Sequence, residues 1–292
     1  MKKNRLTEFF VTLATLGGIF SAIAPVSAAS LTNTNDWNNL TANPIQPRAT
    51  DTSGFQTLIP EFQEFVQPEG IAIPENEVRR LDPSKLQLKS DSNVRVWFLN
   101  EGAFYRNQLA YEAVQPPNYQ AGYIFQDASC INGNNNNCEK PDSNGTLNVG
   151  DYVDLGTVAG GSQLNFWLRA NGANPQEPGG TNPATNVKNI YGEDGTQNPD
   201  GLEHIAAYEY NNYLLIGFED LYGPVGSTAG GNGIITADRD FNDVVFVVDV
   251  GENNLDGRAY VPEPTSAIAI LGVGAVGLMK LRRRQQQENT PQ

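Results

Sequence analysis

The sequence predicts an all-β protein, an antiparallel β-sandwich of jelly-roll or immunoglobulin-like type with long loops. Its apolar runs are short and rich in β-branched and aromatic residues, as at 213–218 and 244–248. The run at 162–170 alternates apolar and polar residues, which is typical of a half-buried strand. Clusters of Gly, Asn and Pro separate the runs, and the body of the chain has no long amphipathic helical pattern.

The N-terminal segment has the organisation of a secretory signal peptide. Three basic residues among the first five precede an apolar run at 9–23, and small residues follow up to Ala29. A buried N-terminal helix is the alternative interpretation. We expect a signal helix over 1–29 and cleavage by signal peptidase after Ala28 or Ala29.

A second apolar run of about 17 residues, at 265–281, is close to the lower limit for spanning a bilayer. Arg282, Arg283 and Arg284 follow it directly. Cationic residues at this position favour a transmembrane helix with its C-terminal end, residues 285–292, in the cytoplasm. The alternative is a core helix, which would be amphipathic and capped, unlike this run.

The charge balance limits the choice of partners. The full chain has 19 basic and 33 acidic residues, and its net charge is −14. The signal peptide and the tail from residue 263 carry seven basic and three acidic residues, so the remaining body has 12 against 30. We therefore expect no nucleic acid partner, because binding phosphates requires a basic face. Such an acidic surplus suits a soluble exported protein that binds divalent cations.

Cys130 and Cys138 are the only cysteines, and they enclose a short loop rich in Asn. In an exported protein this spacing predicts one local disulfide. A zinc site is the alternative, but it needs further ligands and the chain has a single His.

These signals divide the chain into consecutive segments. We expect a signal peptide at 1–29, a poorly structured extension at 30–91 and the β-sandwich at 92–250. A polar linker at 251–260, the sorting segment at 261–284 and the cytoplasmic tail at 285–292 complete the division.

Acidic side chains cluster at the ends of the two apolar runs that bound the longest Gly-rich loop. If the runs pair as neighbouring antiparallel strands, both clusters lie at the same end of the sheet. Carboxylates packed this closely repel one another unless a cation lies among them. The predicted ligands are Glu219, Asp220, Asp238, Asp240, Asn242 and Asp243.

The ion predicted for this cluster is calcium, which accepts a flexible cage of carboxylates and carbonyls, whereas magnesium requires a tight octahedron. In extended conformation Asp238, Asp240 and Asn242 would share one face. The spacing is not that of an EF-hand, because Asp243 occupies the position of the invariant Gly. A solvated acidic loop without an ion is the alternative.

The segments 217–223 (GFEDLYG) and 238–246 (DRDFNDVVF) resemble the family called domain of unknown function 4114, a β-sandwich module of exported bacterial proteins. The stretches at 100–109 and 198–205 resemble its upstream motifs, so the resemblance extends from residue 92 to residue 250. It implies calcium binding by the six residues of the acidic cluster. Asp200 and His204 lie in an upstream motif and are additional candidates. The long insert at 221–237 departs from the family pattern.

The C-terminal segment resembles a PEP-CTERM sorting signal. The resemblance rests on Val261, Pro262, Glu263 and Pro264, on the apolar run and on the three arginines. It implies that the tail holds the protein at the inner membrane until an exosortase-type enzyme acts near the Pro-Glu-Pro motif. The product would then reach the cell surface or the extracellular matrix. A permanent single-pass anchor is the alternative.

We expect no catalytic residues. His204 is the only His, and no G-x-S-x-G motif surrounds a Ser. The expected function is therefore that of a calcium-stabilised, non-catalytic surface or matrix protein with a structural or adhesive role. A carbohydrate-binding module for exopolysaccharide, with Trp97, Phe98, Phe166 and Trp167 as stacking rings, is the alternative. A hydrolase using the acidic residues is a third and weaker hypothesis.

Overall fold

A computed structural model describes residues 31–66, 79–103, 105–131, 138, 145–174, 181–182, 187–227 and 237–261. The expected signal helix and the segment from Pro262 onward lie outside these residues. Within the described ranges, no helix has both the length and the apolar character needed to cross a membrane.

Strands dominate the described residues, and the helices are only one turn long. The α-helices are α1 (Thr34–Trp37) and α2 (Ile59–Gln63), and 3-10 turns occur at Arg48–Thr50, Phe55–Thr57, Pro83–Lys85, Gly195–Gln197 and Gly257–Ala259. The strands are β1 (Arg79–Leu81), β2 (Ser92–Glu101), β3 (Gln108–Gln115), β4 (Asn118–Phe125), β5 (Tyr152–Val158), β6 (Gln163–Arg169), β7 (Thr181–Asn182), β8 (Val187–Lys188), β9 (Ile190–Tyr191), β10 (Ile205–Tyr210), β11 (Tyr213–Phe218) and β12 (Val244–Asp249).

Two antiparallel sheets form the body. One has six strands in the order β1-β10-β11-β12-β2-β5, and the other has four in the order β4-β3-β6-β9. Side chains from both sheets share one apolar core, in which Phe166 packs on Phe246 with ring centroids 5.4 Å apart. This arrangement confirms the all-β prediction and is consistent with a β-sandwich.

The predicted hairpin from β10 to β11 is confirmed. Asn211 and Asn212 form its two-residue turn with φ of +49° and +67°. Two consecutive left-handed residues are typical of the tight turn that matches the twist of an antiparallel pair, and Asn tolerates this conformation better than most residues.

The long connections lie at one end of the two sheets. The turns β3–β4, β5–β6 and β10–β11 at the opposite end have two, four and two residues. The connections β4–β5, β6–β9, β9–β10 and β11–β12 leave from the other end and are much longer. The acidic residues that bound β11 and β12 lie at this long-loop end.

The expectation of a poorly structured extension at 30–91 is wrong for the described residues. Phe55, Phe62 and Phe65 are buried on the outer face of the six-stranded sheet, where Phe55 stacks on Trp97 with centroids 4.1 Å apart. Trp37 is fully buried on the outer face of the other sheet. Residues 31–66 therefore cover both outer faces, because each face carries apolar side chains that require burial.

Asp51 fastens this N-terminal segment to the six-stranded sheet. Its carboxylate accepts hydrogen bonds from Trp97 Nε1 and Arg95 Nη1, each at 2.9 Å. Burial alone would raise the pKa of Asp51, but the hydrogen bonds from Ser53, Gln56 and Trp97 lower it below its ordinary value.

The predicted boundaries at residues 92 and 250 are also wrong. Strand β1 pairs with β10, and Leu81, Leu86 and Leu88 belong to the inner core. Residues 251–260 are not a free linker, since Leu255 and Ala259 are buried in the same core. The reason is that the edge of the six-stranded sheet beside β10 would otherwise have unpaired backbone N–H and C=O groups, and these flanking segments pair with them.

Cys130 and Cys138 lie close enough for the predicted disulfide. Their Cα atoms are 6.5 Å apart, within the range that a disulfide bridges. Most residues between them lie outside the described part of the chain.

Candidate metal centre

The acidic clusters meet because β11 and β12 are antiparallel neighbours. Phe218 pairs with Val244, so the chain positions after Phe218 and before Val244 lie side by side. This register confirms that Glu219 and Asp220 share one sheet end with Asp243 and the residues before it. Glu101 pairs with Val244 from the other side, and its buried carboxylate accepts a hydrogen bond from Cys130 N at 2.5 Å.

Three carboxylates of the predicted set converge. One oxygen each from Glu219, Asp238 and Asp240 can be chosen so that all three lie within 4.8 Å of one another. Glu219 and Asp240 are buried, with 0% and 2% exposure, whereas Asp238 is partly exposed. The cluster is therefore a deep carboxylate site that reaches solvent on the side of Asp238.

The loop that carries Asp238 and Asp240 is not extended, contrary to the prediction. Arg239 and Phe241 both have left-handed backbone, with φ of +63° and +61°. This conformation costs about 1–2 kcal/mol for each non-glycine residue. The left-handed residues alternate with Asp238 and Asp240 and turn these two side chains towards Glu219. The convergence of the carboxylates therefore comes at a cost in backbone conformational energy.

The other three predicted ligands support the converging carboxylates. Asn242 donates from N and Nδ2 to the two oxygens of Asp240, at 3.0 and 2.7 Å. Asp243 Oδ2 accepts from the backbone N–H of Asp220 at 2.7 Å. Asp220 Oδ2 in turn accepts from Asn107 Nδ2 at 2.7 Å. In this arrangement Asp220, Asn242 and Asp243 orient the site.

Burial and mutual repulsion hold protons on this cluster. Burial, followed by the charges of Asp220 and Asp238, raises the pKa of Glu219 to about 8. Burial and the neighbouring carboxylates of Asp220 and Glu219 raise the pKa of Asp243 well above its ordinary value. Arg239 is the nearby cation that opposes the shift at Glu219. A cation among the carboxylates would remove this penalty.

One oxygen of Glu219 is left without a partner. Oε1 accepts from Leu221 N at 3.3 Å, but Oε2 is buried and has no hydrogen-bond partner among the described residues. Buried carboxylate oxygens without partners are costly, and a bound cation is one way to satisfy them. The donor set is oxygen only, which fits a hard cation and not a soft metal.

Asp200 and His204 lie beside the cluster, and both are engaged with the protein. His204 is fully buried; its Nε2 lies 2.9 Å from Asp200 Oδ2 and its Nδ1 lies 2.8 Å from the carbonyl oxygen of Glu219. Asp200 Oδ2 also accepts from the backbone N–H of Gly223 at 2.7 Å. The pair thus binds the backbone at Glu219 and at Gly223.

Burial and neighbouring charges act in opposite directions on the pKa of His204. Burial lowers the pKa of His204, while the carboxylate of Asp200 acts in the opposite direction. The guanidinium of Arg239 also faces the ring, with Nη1 3.3 Å from Nε2, and its charge adds to the lowering of the His204 pKa. Burial alone would raise the pKa of Asp200, but its hydrogen bond and charge interaction with His204 bring it down to about 2.

Sequence reasoning missed two further residues around the cluster. Asn107 orients Asp220 from the β2–β3 connection, and Tyr191 stacks on His204 with ring centroids 3.6 Å apart. Both are far from the acidic motifs in sequence. The NEGAFYRNQL stretch contained Asn107, but only the pairing of the sheets shows which acid it contacts.

The four rings proposed for sugar stacking are buried. Trp97, Phe98 and Phe166 are 0% exposed and Trp167 is 2% exposed. Two of them face the inner core, and the N-terminal segment or neighbouring loops cover the other two. These four rings therefore cannot stack on a sugar in the folded protein.

The fold and this centre define a class, a two-sheet β protein with a buried carboxylate cluster at its long-loop end. Residues 158–251 match the family described as domain of unknown function DUF4114, and residues 261–284 match the PEP-CTERM protein-sorting motif. The chain therefore carries a DUF4114 region and a PEP-CTERM sorting motif. No curated protein and no solved structure matches the chain.

The family match refines the expected extent of the resemblance. It includes all six predicted ligands together with Asp200 and His204, but it begins only at β5. The stretch at 100–109 lies outside the match, although Asn107 from that stretch contacts the acidic cluster. The sorting motif shows that the protein is exported through the exosortase pathway and is anchored in the membrane before processing.

Proposed function

We propose that this exported protein is a calcium-stabilised, non-catalytic component of the cell surface or extracellular matrix, with a structural or adhesive role. The observation that carries the proposal is the convergence of the Glu219, Asp238 and Asp240 carboxylates, together with the buried Oε2 of Glu219 that has no hydrogen-bond partner among the described residues. Calcium suits this site because it accepts carboxylates in irregular geometry and several at a time.

Calcium would stabilise the fold by joining elements that are distant in sequence. Glu219 follows β11, whereas Asp238 and Asp240 precede β12 across a connection of 25 residues. An ion shared by both strands would close this connection and offset the repulsion among the carboxylates. It would also raise stability by mass action, because the unfolded chain lacks the site.

The non-catalytic part of the proposal rests on the state of the only histidine. His204 is fully buried, and each ring nitrogen already has an oxygen partner. It therefore offers no accessible nitrogen to serve as a general base for a serine or water nucleophile. Two of the three converging acids, Glu219 and Asp240, are buried, a position that suits an ion better than a polymer substrate.

The adhesive part of the proposal rests on the placement of the long loops. Connections at one end of a rigid sheet scaffold commonly carry binding residues. Here the candidate calcium site lies at the same end as the β4–β5, β6–β9 and β9–β10 connections. Calcium binding would thus stiffen the end of the molecule that presents these loops to a partner.

Isothermal titration calorimetry of the full chain in detergent tests the ion. We expect saturable binding of calcium, weaker binding of magnesium and loss of calcium binding in Asp240→Asn. Glu252→Gln removes an exposed acid at the opposite end and should bind calcium as the native chain does. Equal calcium heats for the two variants would contradict the proposed site.

A second assay separates the adhesive role from ion binding. Beads coated with the protein should bind matrix isolated from producing cells when calcium is present and release it on addition of chelator. Beads coated with the Asp240→Asn variant should bind poorly at all calcium concentrations. If the protein binds calcium but the beads bind no matrix, the adhesive role is refuted and the structural role remains.

A further inference from the structure

The chain is hydrogen-bonded to the body as far as the residue at which the sorting motif begins. Tyr260 forms an antiparallel bridge with Leu81 of the edge strand β1, and the backbone N–H of Val261 donates to the Arg80 carbonyl at 3.3 Å. The Asp82 N–H donates to the Ala259 carbonyl at 2.6 Å, and Ala259 is fully buried. The sorting-motif match starts at Val261, so no free linker separates the body from the motif.

This attachment limits how far the body can stand from the membrane. The apolar run begins at residue 265, only four positions after Val261. Four extended residues span at most about 14 Å. The headgroup layer on each side of the hydrocarbon core is about 5–8 Å thick. While the tail is anchored, the edge of the sheet around Val261 must therefore lie at the lipid headgroups or within about 10 Å of them.

The surface around this exit point is unusually rich in exposed cations for an acidic protein. The side chains of Arg79, Arg80 and Lys85 are 61%, 48% and 55% exposed, whereas the chain as a whole has a net charge of −14. Four of its 19 basic residues lie in the eleven-residue segment 79–89. This segment carries only one acid, Asp82.

The acids that pair with two of these cations lie deeper than the cations do. Arg79 binds Glu209 at 3.2 Å, and Lys85 binds Asp82 at 2.5 Å. Glu209 and Asp82 are only 17% and 29% exposed. Arg79 also lies over the ring of Tyr260, 4.8 Å from its centroid. At Arg79 and Lys85 the cation therefore lies outside its paired acid. Arg80 pairs with Glu203 at 3.8 Å, and there the acid is the more exposed partner, at 70% against 48%.

We propose that this exit surface, formed by Arg79, Arg80, Lys85 and Tyr260, docks on anionic phospholipid headgroups while the C-terminal tail is anchored. Each cation close to an anionic bilayer favours the docked state by about fivefold. The acidic remainder of the body is repelled by the same lipids. Docking therefore places edge strand β1 against the bilayer and the opposite edge strand, β5, away from it. This inference does not depend on the calcium site.

A position-dependent quenching experiment tests the docking. The full chain is reconstituted in nanodiscs of mixed phosphatidylglycerol and phosphatidylcholine that contain a headgroup-labelled quencher lipid. A fluorophore is attached through Ser84→Cys, which is exposed beside the exit point, or through Thr157→Cys, which is exposed on β5. The parent chain without a new cysteine serves to show that Cys130 and Cys138 take no label.

We expect strong quenching at position 84 and weak quenching at position 157. Five spacings of about 4.8 Å separate the two edge strands of the six-stranded sheet, so β5 lies about 24 Å from β1. Equal quenching at the two positions would overturn the proposed orientation.

The electrostatic part of the proposal has its own test. Replacing Arg79, Arg80 and Lys85 by Gln should reduce the ratio of docked to undocked molecules about fivefold for each cation. Quenching at position 84 should then fall to the value found in pure phosphatidylcholine discs. Arg48→Gln removes an exposed cation near β5 and should leave quenching unchanged. Quenching at position 84 that is the same with and without phosphatidylglycerol would refute anionic-lipid docking.

Discussion

Removing the ion should make the stability of this protein strongly dependent on pH. Glu219 is fully buried, and its pKa of about 8 lies far above the ordinary value of 4.5. The calcium-free folded state therefore holds this proton more tightly than the unfolded state does. The resulting stabilisation is complete below pH 4.5 and is lost as the pH rises towards about 8.

The size of the effect follows from the pKa shift. Each pKa unit corresponds to about 1.4 kcal/mol, so ionising Glu219 costs the calcium-free fold up to about 5 kcal/mol at high pH. For a folded body of this size, about 1 kcal/mol moves the melting midpoint by about 2–4 °C. Between pH 5 and pH 8 about 3.5 kcal/mol of this stabilisation is lost, so the midpoint in chelator should fall by about 7–14 °C on account of this residue.

Thermal melts in chelator and in excess calcium, each between pH 5 and pH 8, measure this dependence. Calcium should remove most of the pH dependence, because the bound ion stabilises the ionised carboxylates. Glu219→Gln is the control, since its amide cannot titrate whereas the other acidic side chains of the protein still do. The difference between the native chain and this variant isolates Glu219 from general acidic repulsion.

The reasoning fails if the native midpoint in chelator stays constant over this pH range, or if Glu219→Gln shows the same fall. It also fails if calcium raises the midpoint by as much at pH 5 as at pH 8. At pH 5 the ion must displace a bound proton, and its net effect should be smaller.

Further changes test the surrounding structure. His204→Gln should weaken calcium binding by about 10–100-fold in calorimetry, because it releases the backbone of Glu219; the neighbouring Glu203→Gln should not, and equal effects would argue against positioning. Phe62→Ala should cost about 3–5 kcal/mol in urea unfolding, whereas the exposed Val225→Ala should cost less than about 0.5 kcal/mol. Cys138→Ser should cost about 2–3 kcal/mol if the predicted disulfide closes its short loop, and non-reducing peptide mapping should detect the linked pair.

Local patterns predicted the central hairpin and the convergence of its acids. The Asn pair at 211–212 predicted the tight turn, and antiparallel pairing of two β-branched runs brought Glu219 beside the residues that precede β12. Both features depend on residues close in sequence or on the period-2 alternation of a strand. The backbone of residues 239 and 241 was predicted wrongly, because left-handed conformation in Arg and Phe has no signal in composition.

The N-terminal segment shows where local patterns are insufficient. Residues 31–66 contain one-turn helices and irregular chain, so they lack the periodicity that predicts a packed element. Their burial results from the apolar outer faces of the two sheets, and those faces exist only after the strands have paired. A segment without regular structure can therefore be part of the core if the surface it covers is apolar.

The sequence by itself determined that this protein is exported and that segments such as β6, β11 and β12 are strands. Sorting motifs act as short linear segments, and strand character is expressed in the alternation of neighbouring residues, so both can be read locally. Only the tertiary structure decided which acids converge and which residues position them. Glu219, Asp238 and Asp240 converge; His204, paired with Asp200, binds the backbone of Glu219, and Asn107 binds Asp220. The physical reason is that these contacts join residues far apart in sequence, and their geometry depends on sheet register and on the packing of one sheet against the other.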